Sequence, residues 1–348
     1  MRVSIDGLIF KQSPNGGISR YWAELFAAME LLDANVRYNV ALPLGVHYPI
    51  RARTARAGSL ISYWNAWRAD LFHSTYYTEW PRMRCPFVVT VYDFIDALLP
   101  QLRPNNFRFV QKQLVQVKRA DAVIAISKET GNLVETLAGV ERDKIFVAYP
   151  GVPAPFRSTL PSEQDITLFR QNQTGGAPYL LHVGKRDNYK NFRTILKAFC
   201  RIADKTDRHL LVVGGKHPLP EDEIDWMISS RLLNRIHFLP LVDDKTLHIA
   251  YAGADAMVHA SLMEGFGIPV IEALASGTGL IISDIPVYRE IAGSMATFVD
   301  PAEVGAWEEA FLQPVTVQHD WREKTLNRFS WCASASAHLD AYRSVLAD

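Results

Sequence analysis

The sequence lacks several features that would assign it to a specialised class of protein. Its 348 residues include only three cysteines, which lie far apart and without metal-ligand spacing, so we expect reduced, buried thiols. It has no run of eighteen or more apolar residues, and no basic segment followed by an apolar stretch at its start. The sequence therefore predicts a cytoplasmic protein that is neither secreted nor membrane-spanning.

An excess of charge of either sign is also missing. The chain has 37 Lys and Arg residues against 37 Asp and Glu residues, and it contains no recognised nucleic-acid-binding module, so we expect no nucleic-acid partner. Internal repeats, low-complexity tracts and heptads are absent as well. Hydrophobic residues make up 48% of the chain, which is typical of a globular protein, and its length favours two domains.

Short β-branched runs alternate with amphipathic stretches along the whole chain. Such alternation is typical of parallel sheets covered by helices on both faces, so the sequence predicts an α/β protein built from two Rossmann-like domains. The predicted strands are VSIDGLIF, DLFHST, PFVVTVYD, AVIAIS and IFVAYP in the first half, and YLLHVG, LLVVGG, RIHFLP, AMVHAS and LIIS in the second.

A proline-rich stretch between these two groups of strands interrupts the pattern, and we place the domain boundary near residue 160. The prediction is an N-terminal domain over 1–160 and a C-terminal domain over 161–330. A last helix is expected over 331–348, with Ser330 as its N-cap, and this helix is a candidate to return to the N-terminal domain.

The motif EGFGIPVIEALASG follows a predicted strand and opens a predicted helix. The backbone N–H groups of Gly265, Phe266 and Gly267 at a helix N-terminus form a natural site for a phosphate. Glu264 precedes these glycines, and Glu272 lies among apolar residues of the helix, where burial without a partner is costly. Two carboxylates beside a phosphate site suit a ligand with hydroxyl groups, such as a sugar nucleotide. The alternative is that Glu264 caps the helix and Glu272 is exposed.

Basic residues follow the first strand of the second half, in HVGKRDNYKNF. Lys185, Arg186 and Lys190 cluster beside Gly184, where fixed cations are able to stabilise the charge on a departing nucleoside diphosphate. Three basic residues on a polar loop also describe an ordinary solvated surface.

Taken together, these segments resemble the retaining family 4 glycosyltransferases of GT-B fold, in which two glutamates are separated by seven residues. The resemblance implies two Rossmann-like domains that face each other across a cleft. It implies that Glu272 binds the ribose hydroxyls and Glu264 the transferred sugar, with the backbone of Gly265–Gly267 facing sugar and phosphate. It also implies that Lys190 and a basic residue after Gly184, either Lys185 or Arg186, hold the diphosphate.

The resemblance extends to the first half of the chain. Gly16 and Gly17, in SPNGGISRYW, are similar to the family's glycine loop, which approaches the donor phosphates and the acceptor. His73, Tyr92 and Asp93 follow two predicted strands at their carboxyl ends and are expected to line the acceptor side. Many family members have histidine where this chain has Tyr92, and a tyrosine does not shuttle protons near neutral pH. The predicted catalytic residues are Lys190, Glu264 and Asp93.

These likenesses imply transfer of a hexose with retention, without a metal or other cofactor. The chain looks most like bacterial polysaccharide mannosyltransferases, so GDP-mannose is the first choice of donor and UDP-linked hexoses come next. The expected acceptor is a saccharide or lipid-linked saccharide of a cell-surface polysaccharide such as lipopolysaccharide. The alternatives are a sugar-nucleotide epimerase or hydrolase and a non-catalytic nucleotide-sugar-binding subunit. A dehydrogenase is disfavoured because no G-x-G-x-x-G follows the first strand.

Basic and aromatic residues alternate in one long segment, HYPIRARTARAGSLISYWNAWR, which contains no acidic residue. This composition suits an anionic membrane surface, so we expect peripheral contact with the inner face of the membrane; a solvated loop is the alternative.

Overall fold

The computed structural model describes most of the chain, and in it the chain divides into two compact units. Unit 1 comprises Met1–Gly151 and Phe329–Asp348, and unit 2 comprises Val152–Arg328. The division falls nine residues before the expected boundary near residue 160, within the proline-rich stretch. The described residues are 1–14, 16–33, 35–42, 53–56, 68–77, 85–186, 188–215 and 219–347, with the backbone alone at 42, 53–56 and 188.

Unit 1 contains a seven-stranded, all-parallel sheet with the strand order β3-β2-β1-β4-β5-β6-β7. The order reverses between β1 and β4, which are direct neighbours, so their carboxyl ends form the topological switch point of this sheet. The strands are β1 (Arg2–Asp6), β2 (Arg37–Leu42), β3 (Arg53–Arg56), β4 (Leu71–Ser74), β5 (Phe87–Val91), β6 (Ala122–Ala125) and β7 (Ile145–Val147).

The helices of unit 1 include one that comes from the end of the chain. They are α1 (Leu8–Gln12), α2 (Gly17–Leu32), α3 (Ile95–Leu98), α4 (Phe107–Arg119), α5 (Lys128–Ala138) and α15 (Trp331–Ala347). Helix α15 packs on α2, where the buried Tyr21 hydroxyl donates to His338 Nε2 at 3.0 Å. Its N-terminal residue Trp331 lies so close to Gly151 that a Cβ there would be 2.4 Å from the Trp331 nitrogen. The last helix therefore belongs to unit 1.

Unit 2 contains a six-stranded parallel sheet with the order β10-β9-β8-β11-β12-β13. The same reversal occurs here, between β8 and β11. The strands are β8 (Tyr179–Val183), β9 (His209–Val213), β10 (Ile236–Leu239), β11 (Ala256–His259), β12 (Leu280–Ser283) and β13 (Thr297–Val299).

The helices of unit 2 precede, connect and follow the strands of this sheet. They are α6 (Ala154–Arg157), α7 (Glu163–Thr174), α8 (Phe192–Arg201), α9 (Glu221–Ser229), α10 (Asp244–Ala252), α11 (Ile268–Ala275), α12 (Pro286–Ala292), α13 (Val304–Leu312) and α14 (Trp321–Arg328). One core cluster joins α8 and α13 to the sheet through Phe199, Trp307 and Phe311. Burying such aromatic side chains contributes roughly 2–3 kcal/mol each, which fixes the strand ends that carry the site.

Two expectations from the sequence concern the membrane. Among the described residues, no helix is both long enough and apolar enough to cross a bilayer. The basic and aromatic segment falls mostly outside the described residues, including Arg51, Tyr63, Trp64 and Trp67.

Candidate active site

The residues singled out in unit 2 come together at the carboxyl ends of β8 and β11, at the switch point. The turn after β8 runs from Gly184, with φ of +131°, through a short 3-10 turn at Asn188–Lys190 to the start of α8. The loop after β11 leads to α11. The Leu262 N–H donates to the Tyr189 carbonyl at 2.8 Å and ties the two segments together. Open α/β sheets bind ligands at this point.

Lys190 and Glu264 form an ion pair across these two segments. Lys190 Nζ lies 2.6 Å from Glu264 Oε1, and the side chains are only 14% and 8% exposed. The two residues are 74 positions apart in the sequence, and two separate motifs predict that both lie in one site. Lys190 is therefore not part of a solvated surface, and its ammonium group lies beside the α11 N-terminus loop.

Glu264 is bonded through one of its two oxygens. Oε1 accepts hydrogen bonds from Lys190 Nζ, from Ser261 Oγ at 2.7 Å and from the Tyr288 hydroxyl at 3.4 Å. No described group donates to Oε2. Glu264 also makes no capping hydrogen bond to α11. The second carboxylate oxygen remains available as an acceptor for a ligand hydroxyl.

The start of α11 is shaped by a glycine. Gly267 has φ of +102°, a conformation that a side chain opposes, and a Cβ there would lie 2.7 Å from the Tyr288 ring. Pro269 lies in the first turn of the helix, where proline is favourable, and Gly277, with φ of +75°, follows the last turn. The buried backbone of Gly265, Phe266 and Gly267 lies at the N-terminus of this helix.

Glu272 is buried, with 5% exposure, on the second turn of α11. Its Oε2 accepts a hydrogen bond from the fully buried Tyr251 hydroxyl at 3.1 Å. The alternative that Glu264 caps the helix while Glu272 is exposed is wrong on both counts, because Glu264 makes no capping hydrogen bond and Glu272 is buried. The Tyr251 hydroxyl supplies a partner that a buried carboxylate requires.

The two basic residues directly after Gly184 differ in their surroundings. Lys185 is exposed, whereas the Arg186 guanidinium lies 5.0 Å from the ring centroid of Phe238 on β10. A Cβ on Gly215 would lie 2.8 Å from Arg186 Nε, so the glycine makes room for this side chain. Which of the two contacts a diphosphate stays a prediction.

Two histidines lie beneath the ion pair in the unit 2 core. His182 and His259 stack with centroids 5.4 Å apart, and both are fully buried. Burial lowers the pKa of His182 to about 4, and burial together with the nearby Lys190 ammonium holds the pKa of His259 well below its usual range. Both imidazoles are therefore neutral near pH 7.

The acidic residues of the segment PEDEIDWM lie at the start of helix α9. Glu221, Asp222 and Glu223 occupy its first turn, where negative charge is favourable, and Arg193 pairs with Asp222. Within the described part of the chain, no group of three or more His, Cys, Asp or Glu side chains is arranged to hold a metal ion.

In unit 1, the glycine loop lies after β1. Gly16 is the N-cap of α2 and Gly17 its first residue. A Cβ on Gly16 would lie 2.0 Å from Ser13 Oγ, whereas Gly17 has open space around it. Both lie in the connection between β1 and α2, after the short helix α1.

Two of the three expected acceptor-side residues need a correction. His73 is fully buried, with Nδ1 2.7 Å from the Tyr342 hydroxyl and Nε2 2.9 Å from Thr90 Oγ1. The buried Tyr92 hydroxyl accepts from Trp22 Nε1 at 2.6 Å and donates to the Thr75 carbonyl at 2.9 Å. These side chains are core groups of unit 1 because their polar atoms are satisfied internally.

Asp93 differs from these two residues because it is only partly buried. Its Oδ1 accepts from the Ile95 N–H at 3.0 Å, at the start of α3. Of the three residues expected to line the acceptor side, only Asp93 is still a candidate for that position. Its catalytic role stays a prediction.

The site also contains four residues that sequence reasoning missed: Ser261, Tyr288, His259 and Tyr251. Ser261 and His259 lie just before the motif in AMVHAS, so their proximity to Glu264 was readable from the sequence. Tyr288 and Tyr251 are 24 and 21 residues from the glutamates they bond, and only the packing of α12 and α10 on α11 brings them there.

Comparison with known proteins assigns both halves of the chain. Residues 16–154 match the family described as Glycosyltransferase Family 4, and residues 164–326 match Glycosyl transferases group 1. The chain is 29% identical over 272 residues to the O-antigen chain mannosyltransferase RfbU of Salmonella typhimurium, covering 74% of this chain and 72% of that protein. It is 26% identical over 269 residues to O-antigen chain mannosyltransferase B of Escherichia coli, covering 74% and 70%.

A solved structure with the same fold covers nearly the whole chain. The Anabaena protein HepE, in complex with UDP and glucose, matches with a TM-score of 0.75 at 16% identity over 99% of this chain and 100% of that one. The likeness shows that the two Rossmann-like units have the GT-B fold.

Proposed function

Because this chain belongs to the glycosyltransferases of group 1 and family 4, we propose that it transfers mannose from GDP-mannose, with retention, to a saccharide or lipid-linked saccharide acceptor. The observation that carries this proposal is the Lys190–Glu264 ion pair at the N-terminus of α11, with Glu272 buried one helical turn further on.

The diphosphate of the donor is proposed to lie between Lys190 and the start of α11. The positive end of the helix dipole and the N–H groups of Gly265–Gly267 attract a phosphate, and the largely buried Lys190 ammonium adds a full positive charge. Lys185 or Arg186 is proposed to contact the outer phosphate oxygens. These fixed cations supply the charge that a metal ion supplies elsewhere, so we propose a metal-independent reaction.

The two carboxylates are proposed to hold the hydroxyl groups on either side of the diphosphate. Glu272 is bonded to Tyr251 through Oε2, and a carboxylate has further acceptor positions for the ribose hydroxyls. Glu264 is held through Oε1, so that Oε2 accepts from a hydroxyl of the transferred sugar. Hydrogen bonds to an ionised acceptor contribute about 1.5–3 kcal/mol each.

The reaction is proposed to proceed on one face of the sugar. The bond between the anomeric carbon and the diphosphate oxygen breaks as the bond to the acceptor oxygen forms, and the acceptor proton passes to the departing phosphate oxygen. Lys190 and the α11 N-terminus stabilise the negative charge that develops on the leaving group. Asp93, in unit 1, is proposed to orient the acceptor.

The choice of mannose is supported by the two relatives, both named O-antigen mannosyltransferases, whereas HepE was solved with UDP and glucose. The test is a transfer assay with GDP-mannose and UDP-hexoses in the presence of a chelator, with the anomeric configuration of the product determined by NMR. Retained mannosyl product supports the proposal. Transfer only from UDP-hexoses contradicts the donor, inverted product contradicts the mechanism, and epimer or free sugar without acceptor product indicates the alternative enzymes.

We also propose peripheral contact with an anionic membrane, which would bring the enzyme to a lipid-linked acceptor. Helix α4 supports this: it carries Arg108, Lys112, Lys118 and Arg119, no acidic residue, and two exposed apolar side chains. These are Phe107, 68% exposed, and Val115, 53% exposed. Exposed apolar and basic side chains on one helix suit the interface of an anionic bilayer.

We expect the Phe107→Ser variant to bind anionic vesicles at least about tenfold more weakly than wild type, because one apolar side chain inserted in the bilayer contributes about 1.5–3 kcal/mol. Co-sedimentation with phosphatidylcholine vesicles, with and without phosphatidylglycerol, measures this. Leu31→Ser is the matched control, since Leu31 is 82% exposed on another helix of the same unit. Equal binding to neutral and anionic vesicles would remove the proposal.

A further inference from the structure

A buried polar chain lies directly beneath Glu264. His259 ends strand β11, Tyr288 lies on α12, and both side chains are completely buried. The Tyr288 hydroxyl is hydrogen-bonded to His259 Nδ1 and lies 3.4 Å from Glu264 Oε1. Ser261 Oγ, which donates to the same Glu264 oxygen, lies 3.3 Å from His259 Nδ1.

One arrangement of the protons on His259 and Tyr288 lets the phenol donate a hydrogen bond to Glu264. The phenol keeps its proton, because burial and the nearby Glu264 charge raise the pKa of Tyr288 well above its usual range. When His259 carries its proton on Nδ1, it donates to the Tyr288 oxygen, and the phenol proton is directed to Glu264. This tautomer leaves a bare acceptor at the buried Nε2, which has no partner among the described residues and is better tolerated there than an unpaired N–H.

Packing alone does not require these polar groups. The Tyr288 ring fills the space beside Gly267, where a Cβ would meet its Cε1 atom at 2.7 Å, and a phenylalanine ring would fill that space equally. The hydroxyl and imidazole add buried polar atoms that are costly unless they are bonded. Their hydrogen bonds lead to Glu264 Oε1, the oxygen that also accepts hydrogen bonds from Lys190 and Ser261.

We propose that Tyr288 and His259 are positioning residues that hold Glu264 through Oε1, so that Oε2 faces the transferred sugar. The role rests on the proposed function of Glu264 as a ligand of that sugar. Neither residue touches the nucleotide in this account, since Glu272 and its partner Tyr251 form a separate hydrogen bond. The pair therefore acts on the rate of transfer and leaves nucleotide binding unchanged.

The test is a steady-state analysis of Tyr288→Phe in the full chain with GDP-mannose as donor. We expect kcat to fall about tenfold, the effect of losing one hydrogen bond to a charged group, with the Kd of GDP unchanged. His259→Asn, whose amide N–H takes the position of Nδ1–H, is expected to keep most of kcat, whereas His259→Leu should lose as much as Tyr288→Phe. Melting temperatures establish that each variant is folded.

A double-mutant cycle separates positioning from packing. In the Glu264→Gln background, we expect Tyr288→Phe to lower kcat by less than about twofold, because residues that act through one group are not additive. An unchanged kcat in Tyr288→Phe alone, or an equal loss in both backgrounds, would overturn the inference. If the wild-type protein transfers sugar from neither GDP-mannose nor UDP-hexoses, the proposed function fails and this role fails with it.

Discussion

Replacing Lys190 with alanine is expected to lower kcat for sugar transfer about 1,000-fold, the loss typical of removing one fixed group that stabilises charge in a transition state. The ammonium group is only 14% exposed and lies 2.6 Å from Glu264 beside the start of α11. In this largely buried position it is screened by solvent much less than a surface lysine. Because the charge on the diphosphate grows as the sugar departs, the loss should be larger in kcat than in the Kd of GDP.

The matched control is Lys197→Ala. Lys197 lies on the neighbouring helix α8, and its Nζ is 5.8 Å from the Trp226 ring centroid, away from the ion pair. Single-turnover rates should be close to wild type for this variant. A Lys190→Ala enzyme that keeps a tenth or more of the wild-type rate, with a normal melting temperature, would contradict the role given to Lys190.

Replacing Glu264 with glutamine is expected to lower kcat/KM for GDP-mannose about 100-fold, equivalent to about 2.7 kcal/mol, because the amide keeps the shape but loses the charge that accepts from the sugar hydroxyl. The amide also pairs more weakly with Lys190. Since Lys190, the start of α11 and Glu272 all remain in this variant, we expect the Kd of free GDP to stay within about threefold of wild type.

Glu309→Gln is the matched control for this substitution, since Glu309 also lies in unit 2, exposed on α13, a helix that carries none of the site residues. Isothermal titration with GDP and initial rates with GDP-mannose measure the two quantities separately. A Glu264→Gln variant that loses GDP binding as strongly as it loses rate would place Glu264 on the nucleotide and contradict its assignment to the sugar.

The motif in unit 2 was readable from the sequence because its geometry is local. The helix predicted after EGFG forms at Ile268–Ala275, and the positive φ values of Gly267 and Gly277 occur where the motif requires them. The alternation of strands and helices likewise predicted two parallel sheets, since every buried parallel strand reads as a short apolar run.

Strands with fewer apolar residues escaped prediction. β3 has the sequence RTAR and lies at the edge of its sheet, so its residues need not be apolar. The composition around it predicts a membrane-binding segment instead of a strand. The sequence predicts one strand over VSIDGLIF, but the strand ends at Asp6, and α1 begins at Leu8. Asp6 is fixed by Thr75, whose N–H and hydroxyl both bond its carboxylate from the neighbouring strand end.

The supporting residues of the site could not be predicted because long-range packing creates their contacts. Tyr288 reaches Glu264 only once α12 packs on α11, and the position of Tyr251 depends on α10 in the same way. His73 and Tyr92 were expected at the acceptor side because they end strands. Sequence position gave no indication that α15 would cover His73 with Tyr342, or that Trp22 would bond Tyr92.

The most direct test of the central claim, that the switch point of unit 2 is a metal-independent nucleotide-sugar site, is a thermal-shift titration of wild type and Glu272→Ala with GDP, UDP, ADP and TDP in the presence of a chelator. A ligand that binds only the folded state increases the free energy of unfolding by about 2.7 kcal/mol at a concentration of 100 times its Kd, and so raises the melting temperature. The account predicts a rise with GDP above the other nucleotides, and its loss in Glu272→Ala. An unchanged melting temperature of wild type with all four nucleotides, or an equal rise in both proteins, would contradict it.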